Sequence, residues 1–202
     1  MLSEDIENRA FLEEAIGARI STYQKGNKAK VIENALENAK AAIERKIAEE
    51  ASVKSNLEEF AKVFNLPRLP KRIEIYDNSH IQGSYAVGAM VVATPDGFDK
   101  KQYRTFNIKN PDITNDDFAM MKEVLPRRFN KMTPENRPDV ILLDGGLGQL
   151  HAVHESLKDF DLDGIRIIAI SKGPDRNAGK EFYHMLGVES FSLPFRSPIA
   201  FY

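Results

Sequence analysis

The segment that most constrains the fold is Pro138-Asp-Val-Ile-Leu-Leu-Asp144, a continuous apolar run that ends in an acid. An apolar run without polar alternation indicates a strand that is buried on both faces and pairs in parallel with a neighbour. A Gly-rich stretch and a helical segment of residues 147–160 follow it, and residues 165–170 form a second apolar run. The sequence therefore predicts two buried strands joined by a crossover helix.

Three further strand candidates precede that run, at residues 72–76, 85–94 and 101–108. Pro95-Asp-Gly97 is a turn signal between the second and the third, which predicts an antiparallel meander. Residues 116–129 have helical periodicity, with acids at the end where the helix dipole favours them. An antiparallel trio followed by parallel strands with crossover helices is the order of a ribonuclease H-like α/β fold. We therefore expect one mixed sheet with flanking helices.

The part of the chain before these strands carries helical patterns and no evident chemistry. Apolar residues recur on one face over residues 27–50, and Ser55-Asn-Leu-Glu58 resembles the capping box that opens a second helix. Pro67 and Pro70 are predicted to end that helix. We expect residues 1–70 to form a helical lead-in packed on a domain of residues 71–202. A partner-binding coiled coil is the alternative, but the apolar stripe is short and lacks a sustained heptad repeat.

Composition narrows the function classes. The chain has no Cys, which excludes disulfides, thiolate chemistry and Cys-ligated zinc. Its net charge of −2 gives no general attraction to nucleic acid, so such binding would depend on local basic clusters. No apolar run reaches the length of a membrane span, and the first residues lack a signal-peptide pattern. We therefore expect no membrane contact and a cytoplasmic location.

Acidic residues stand where the predicted strands end. Asp77 ends the first strand within Asp77-Asn-Ser-His80, and Asp144 ends the fourth. In a ribonuclease H-like sheet these two strands lie side by side, so the two carboxylates would meet at one edge. Close carboxylates repel each other and need a shared cation, and Mg²⁺ or Mn²⁺ with water and phosphate ligands is the expected solution. Asp116 and Asp117, at the head of the intervening helix, could supply a third acid.

Two alternatives apply to these residues. Asp77-Asn-Ser could simply begin a turn, because Asx and Ser side chains bond to nearby backbone amides. The loop Gly145-Gly-Leu-Gly148 could bind an anion through backbone amides at a helix start, although it lacks the Lys-Ser/Thr pair of a P-loop. His151 and His154 share a helix face, and we interpret them as ordinary surface or core residues rather than metal ligands.

A series of motifs runs in order along the chain. These motifs are Tyr76-Asp-Asn-Ser-His80, Val91-Val92, Tyr103-Arg104, Asp116-Asp-Phe-Ala-Met120, Arg127-Arg128, Asp139-Val-Ile-Leu-Leu-Asp-Gly-Gly146, Gly148-Gln-Leu150, Ser171-Lys-Gly173, Leu193-Pro194 and Ser197-Pro198. Motif by motif, the chain resembles the UvrC family, whose members are components of the bacterial UvrABC excinuclease. The resemblance implies a ribonuclease H-like endonuclease domain that makes the 5′ incision beside a DNA lesion in nucleotide excision repair.

The resemblance also implies roles for individual residues. It makes Asp77, Asp117 and Asp144 the catalytic acids, with the Mg²⁺ or Mn²⁺ ion on Asp77 and Asp144. Because Asp116 directly precedes the middle acid, either of the two could fill that position. The residues expected to support the site are Asn78, Ser79, His80 and Asp116. The residues expected to contact DNA phosphate are Arg104, Arg127, Arg128 and Lys172.

The partners implied by the resemblance are damaged double-stranded DNA and, for the whole protein, UvrB, which would bind through a segment outside this chain. The family's remaining catalytic His belongs to a helix that would lie beyond Tyr202. We therefore expect a nuclease domain cut before its carboxy-terminal helix, with an incomplete active site. A catalytically inactive docking module with the same fold is the alternative.

Overall fold

The computed structural model describes residues 6–23, 25–81, 84–173, 181–194 and 197–199, and for residues 79–81, 84 and 85 it describes the backbone alone. The chain divides into two compact units, Met1–Val53 and Lys54–Tyr202. Within the described ranges, no helix combines the length and the apolar character needed to cross a membrane.

The first unit contains α1 (Arg9–Ile16) and the larger part of α2 (Asn27–Val63). Because α2 is one continuous helix, the predicted start of a separate helix at Ser55 is wrong. The whole span of α2 lacks Gly and Pro and is rich in Ala, Glu and Lys, which are strong helix formers. Nothing interrupts the backbone hydrogen bonding, so the capping-box residues remain inside the helix.

The second unit is built around one mixed sheet. Its described residues form eight strands, which are β1 (Ile73–Ile81), β2 (Ser84–Thr94), β3 (Gly97–Phe98), β4 (Arg104–Asn107), β5 (Val140–Asp144), β6 (Arg166–Ser171), β7 (Phe182–Met185) and β8 (Val188–Ser192). The strand order is β3-β2-β1-β5-β6-β7-β8, and β4 also pairs with β2. The helix α3 (Asp117–Phe129) precedes β5, and α4 (Leu147–Ser156) connects β5 to β6.

The strand directions confirm the predicted ribonuclease H-like α/β fold. β1 and β5 are parallel neighbours, with Tyr76 opposite Leu143, and β5 and β6 are also parallel. β2 pairs antiparallel with both β1 and β4, which gives the predicted antiparallel trio. The first and fourth predicted strands therefore do lie side by side, as the topology requires.

β1 extends further than the sequence predicts. The strand continues through Asp77 and Asn78 to Ile81, because β2 pairs with it along this stretch and places Gly88 opposite Asn78. Cross-strand pairing outweighs the turn preference of Asp, Asn and Ser. The interpretation of Asp77-Asn-Ser as the start of a turn is therefore wrong.

Each face of the sheet carries its own apolar core. On one face, Tyr76 and Leu143 pack with buried residues of α3 and α4. On the opposite face, Ile73 and Leu142 belong to a second buried cluster. Side chains alternate between the faces along each strand, so odd-numbered residues of β1 and even-numbered residues of β5 point to the same side.

The second cluster also explains where the second unit begins. Phe60, near the end of α2, and Phe64, just beyond it, are buried in this cluster. Both residues lie within the compact unit Lys54–Tyr202. The predicted domain boundary at residue 71 stays a prediction. The predicted packing of the preceding helical residues against the domain stays a prediction.

Candidate active site

Asp77 and Asp144 lie on neighbouring parallel strands and on the same face of the sheet. Ile75 stands opposite Leu142 in the register of β1 and β5. Side chains two residues apart in a strand share a face, so Asp77 and Asp144 continue these two rows beyond the core, where both residues are exposed. The structure thus brings the two acids together at the carboxyl-terminal edge of the parallel strands.

Asn78 ties the start of α3 to this edge. Its Nδ2 donates a hydrogen bond of 3.0 Å to the backbone carbonyl of Asp117. The helix can approach because residue 88 is a glycine: a Cβ added at Gly88 would lie 2.7 Å from Cγ2 of Val124. The close packing of α3 on β1 and β2 therefore brings Asp117 beside the two strand acids.

Asp116 has a structural use at the same helix start. It is the N-cap of α3, and its Oδ1 accepts hydrogen bonds of 3.0 Å from the backbone N–H groups of Phe118 and Ala119. Such a cap satisfies amide donors that the helix leaves unpaired. The carboxylate of Asp116 is thus engaged by its own helix, whereas the charge of Asp117 acts on Asp77.

The electrostatics of Asp77 follow from this crowding. Although Asp77 is exposed as a residue, partial burial of its carboxyl raises its pKa, and the carboxylates of Asp144 and Asp117 raise it further. The backbone N–H of Asn78 and the ammonium of Lys172 act in the opposite direction without cancelling the rise. A carboxyl group crowded by like charges is well suited to bind a cation.

The donors at this edge fit a divalent cation that keeps most of its water. Asp77 and Asp144 offer carboxylate oxygens, the ligand type that Mg²⁺ and Mn²⁺ prefer. No group of three or more His, Asp or Glu side chains within the described ranges stands in a metal-binding arrangement. Mg²⁺ is commonly held by one or two carboxylates together with substrate phosphate and water. A two-carboxylate site of that kind is compatible with these residues.

The Gly-rich turn after β5 is occupied by contacts of its own. The N–H of Gly145 donates a hydrogen bond of 2.9 Å to the carbonyl of Ile170 in β6. A Cβ added at Gly145 would lie 1.8 Å from Oε1 of Gln149, so the glycine makes room for this buried side chain. One of the amides that an anion would need in this loop is therefore already used.

The predicted phosphate contacts have different surroundings. Arg104 and Lys172 are exposed. Arg127 is partly buried and forms an ion pair of 2.9 Å with Glu123, one turn earlier in α3. The positive charge of Lys172 acts on the carboxyl of Asp77, so Lys172 stands near that acid.

Arg128 is buried in the core rather than presented to solvent. Its Nη2 donates to Oε1 of Glu74 and to the carbonyl of Asn136, both at 2.6 Å, and the side chain is only 8% exposed. A guanidinium engaged in this way cannot also bind a DNA phosphate without leaving Glu74 buried and unpaired. The prediction that Arg128 contacts DNA phosphate is therefore wrong.

Ser79 and His80 belong to β1, but their side chains lie outside the described part of the structure. Their supporting roles stay predictions.

Residues 61–202 match the family model described as the UvrC RNAse H endonuclease domain. The chain belongs to this family. It is 45% identical over 217 residues to UvrABC system protein C of Maricaulis maris and 47% identical over 203 residues to that of Gluconobacter oxydans. These alignments cover 100% and 95% of the chain but 34% and 32% of the relatives, so the chain spans about a third of their length.

Among solved structures, the chain is similar to Endonuclease V. The Ciona intestinalis protein matches with a TM-score of 0.38 and 21% identity, over 64% of this chain and 58% of that one. The catalytic domain of human Endonuclease V matches with a TM-score of 0.36 and 19% identity, over 52% of this chain and 46% of that one. Likenesses this weak carry no argument about function.

Sequence patterns misjudged the burial of one residue, Phe118, which directly follows the candidate acid Asp117. The helical periodicity of α3 predicts Phe118 on its buried face, but Phe118 is 48% exposed. It lies in the first turn, where α3 reaches the start of α4, and a Cβ added at Gly148 would lie 3.1 Å from its Cε1. Periodicity assigns a face but not the point at which the core ends.

A second residue, His184, has no role in the sequence-based interpretation beyond that of a surface or core residue. It is buried in β7 and bonded to side chains of β6 and β8. Residues 181–186 and 190–193 have the sequence pattern of a β-hairpin, and His184 stands between Tyr183 and Met185 in the first of these two segments. Nothing in the sequence alone indicates which side chains it contacts.

Proposed function

We propose that this chain is the divalent-metal-dependent endonuclease domain of a nucleotide excision repair protein, and that it hydrolyses the phosphodiester bond on the 5′ side of a DNA lesion. The proposal rests on Asp77 and Asp144, which share one face on adjacent parallel strands, with Asp117 beside them. Membership of the UvrC RNase H endonuclease domain family supports the same activity.

In this proposal, Asp77 and Asp144 hold Mg²⁺ or Mn²⁺ through their carboxylate oxygens, and Asp117 assists directly or through a water molecule. When bound, the ion lowers the pKa of a ligated water and neutralises charge that develops on the phosphate. Asn78 keeps Asp117 in place by its hydrogen bond to the Asp117 carbonyl. The raised pKa of Asp77 supports a role in cation binding, because a nearby positive charge relieves the repulsion among the acids.

The substrate in this proposal is damaged double-stranded DNA. Lys172 would contact a phosphate near the scissile bond, because its charge acts on the carboxyl of Asp77. Arg104 and Arg127 would contact phosphates further along the strand. Such contacts position the DNA without reading its sequence, which suits an enzyme that acts at lesions in any sequence.

The partner of the whole protein would be UvrB, bound through a segment outside this chain. The location would be the cytoplasm. Both follow from the family resemblance and stay predictions.

The first test compares acids in the whole protein that contains this domain. Asp77→Asn removes one charge at nearly constant shape, and we expect 5′ incision to fall about a hundredfold or more, the scale for a single charge-stabilising group. Asp116→Asn is the matched control, because Asn caps helices as well as Asp, and it should cut like the wild type. The measurement is 5′ incision of a duplex with one bulky adduct, in Mg²⁺.

The two variants also separate the proposal from its rivals. Wild-type incision by Asp77→Asn would exclude Asp77 as a catalytic acid. Calorimetric titration with Mn²⁺ gives an independent readout, in which Asp77→Asn should weaken binding and Asp116→Asn should not. A docking module would show neither effect, and an anion site in the Gly-rich turn would bind inorganic phosphate equally well in both variants.

A further inference from the structure

A hydrogen-bonded chain of three side chains crosses β6, β7 and β8. Ser171 Oγ lies 2.8 Å from Nε2 of His184, and Nδ1 of His184 lies 2.6 Å from Oγ of Ser190. His184 is only 9% exposed, and both of its ring nitrogens are engaged. A neutral imidazole donates through one nitrogen and accepts through the other, so it can join two hydroxyl groups at once.

One end of this row of hydrogen-bonded side chains lies beside the candidate active site. Ser171 is the last residue of β6 and directly precedes Lys172. The residue before it, Ile170, pairs with Asp144 in the sheet and accepts the hydrogen bond from Gly145. The end of β6 therefore runs alongside the turn that carries Asp144.

Lys172 connects these hydrogen bonds to the candidate active site. It is exposed, and its charge acts on the carboxyl of Asp77. A lysine side chain has four rotatable bonds. The region that its ammonium can reach therefore depends on where its backbone is held. Among the described contacts, the hydrogen bond between Ser171 and His184 fixes the side chain of the residue before Lys172.

The surroundings of His184 favour the form that this role requires. Burial lowers the pKa of His184, which keeps the ring neutral near physiological pH. The protonated ring could only donate, whereas the neutral ring both donates and accepts. A hydrophobic residue at this position would leave the hydroxyl groups of Ser171 and Ser190 without their shared partner.

We propose that His184 is a positioning residue, which fixes the end of β6 through Ser171 and thereby holds Lys172 beside the Asp77–Asp144 pair, where its ammonium contacts the DNA phosphate. This inference rests on the proposed function. It adds a residue outside the acids, on a strand that the sequence motifs do not mark.

The test uses two substitutions that separate the nitrogens of the ring. The amide of Gln reaches the position of Nε2, and that of Asn reaches the position of Nδ1. His184→Gln should therefore keep the bond to Ser171, whereas His184→Asn should keep only the bond to Ser190. Lys172→Gln serves as the reference for loss of the ammonium, and the double variant His184→Asn/Lys172→Gln completes a mutant cycle.

The readout is the salt dependence of DNA binding, measured by fluorescence anisotropy in metal-free buffer with a duplex that carries one bulky adduct. The plot of log K against log salt has a negative slope, and each lost phosphate contact reduces its magnitude by about 0.9. We expect this loss in Lys172→Gln and in His184→Asn, with no further loss in the double variant. His184→Gln should retain the wild-type slope. Circular dichroism melts verify that each variant is folded at the assay temperature.

A wild-type slope in folded His184→Asn would overturn the proposal, because a merely structural histidine changes stability without changing a phosphate contact. An unchanged slope in Lys172→Gln would overturn it as well, since Lys172 would then contact no phosphate. Either result is distinct from failure of the proposed function, which would appear as wild-type incision by Asp77→Asn.

Discussion

Two acids three residues apart on β1 have opposite surroundings. Glu74 is fully buried, and its carboxylate accepts hydrogen bonds from Nε of Arg72 at 2.8 Å, Nη2 of Arg128 at 2.6 Å and the hydroxyl of Tyr76 at 2.6 Å. Asp77 is exposed, and the charges nearest to its carboxyl include the carboxylates of Asp144 and Asp117. The same strand therefore carries one acid with matched cations and one acid among other acids.

The difference separates an acid that stabilises the fold from one that is held for another purpose. A buried carboxylate persists only where cations and donors compensate for the loss of water, and Glu74 has both. Asp77 lies among like charges that oppose its ionisation. Such an arrangement does not stabilise the fold. Places where a protein departs from local consistency are commonly functional sites.

The substitution with the largest expected effect on stability is at Glu74, the buried acid. Glu74→Ala would leave the guanidinium groups of Arg72 and Arg128 buried without their carboxylate, and we expect a loss of about 3–5 kcal/mol in the free energy of unfolding. Urea denaturation followed by circular dichroism measures it. Glu74→Gln, which keeps the shape and an acceptor oxygen, should lose less. A loss below about 1 kcal/mol for Glu74→Ala, typical of an exposed pair, would contradict the buried network.

The neighbourhood of the two strand acids could be predicted from the sequence, whereas the surroundings of Glu74 could not. Apolar runs and their order define the topology, and the topology places Asp77 and Asp144 on adjacent strands. Local sequence does not reveal which of Arg127 and Arg128 faces a buried acid 54 residues away. The interpretation of Arg128 as a phosphate contact failed for that reason.

Two local predictions failed because the regular backbone on either side of a short motif continued through it. Asp77-Asn-Ser has turn-forming residues, but it continues β1 because β2 supplies hydrogen bonds along this stretch. Ser55-Asn-Leu-Glu58 has the spacing of a capping box, but no Gly or Pro breaks α2 before it. In both places the short motif is correct only when the flanking backbone leaves its regular conformation.

The substitution with an intermediate expected effect tests how Asp117, the third acid, is held near Asp77. Asn78→Ala removes the hydrogen bond of 3.0 Å to the carbonyl of Asp117, and we expect a loss of about 1 kcal/mol in stability. We also expect slower 5′ incision by the whole protein, because Asp117 would no longer be held beside Asp77. Asn130→Ala, at the exposed opposite end of the same helix, is the control. Equal incision by both variants would show that Asn78 does not position Asp117.

The smallest expected effect on stability has the opposite sign, and it comes from Asp77→Asn. Burial and the carboxylates of Asp144 and Asp117 raise the pKa of Asp77 in the folded state, so the native state binds this proton more tightly than the unfolded chain. Stability therefore falls as the pH rises from the unfolded pKa of about 3.9 through the higher folded value. Without metal at neutral pH, the variant should be more stable than the wild type, by less than about 1 kcal/mol because the group is largely hydrated.

Thermal denaturation at neutral pH and at about pH 3, below the unfolded pKa, measures this difference, which should disappear in acid. Excess Mn²⁺ should raise the melting temperature of the wild type, because a ligand that binds only the native state stabilises it. The melting temperature of Asp77→Asn should respond much less. If the variant is instead less stable than the wild type at neutral pH without metal, Asp77 is a structural acid like Glu74, and the contrast between the two acids of β1 does not hold.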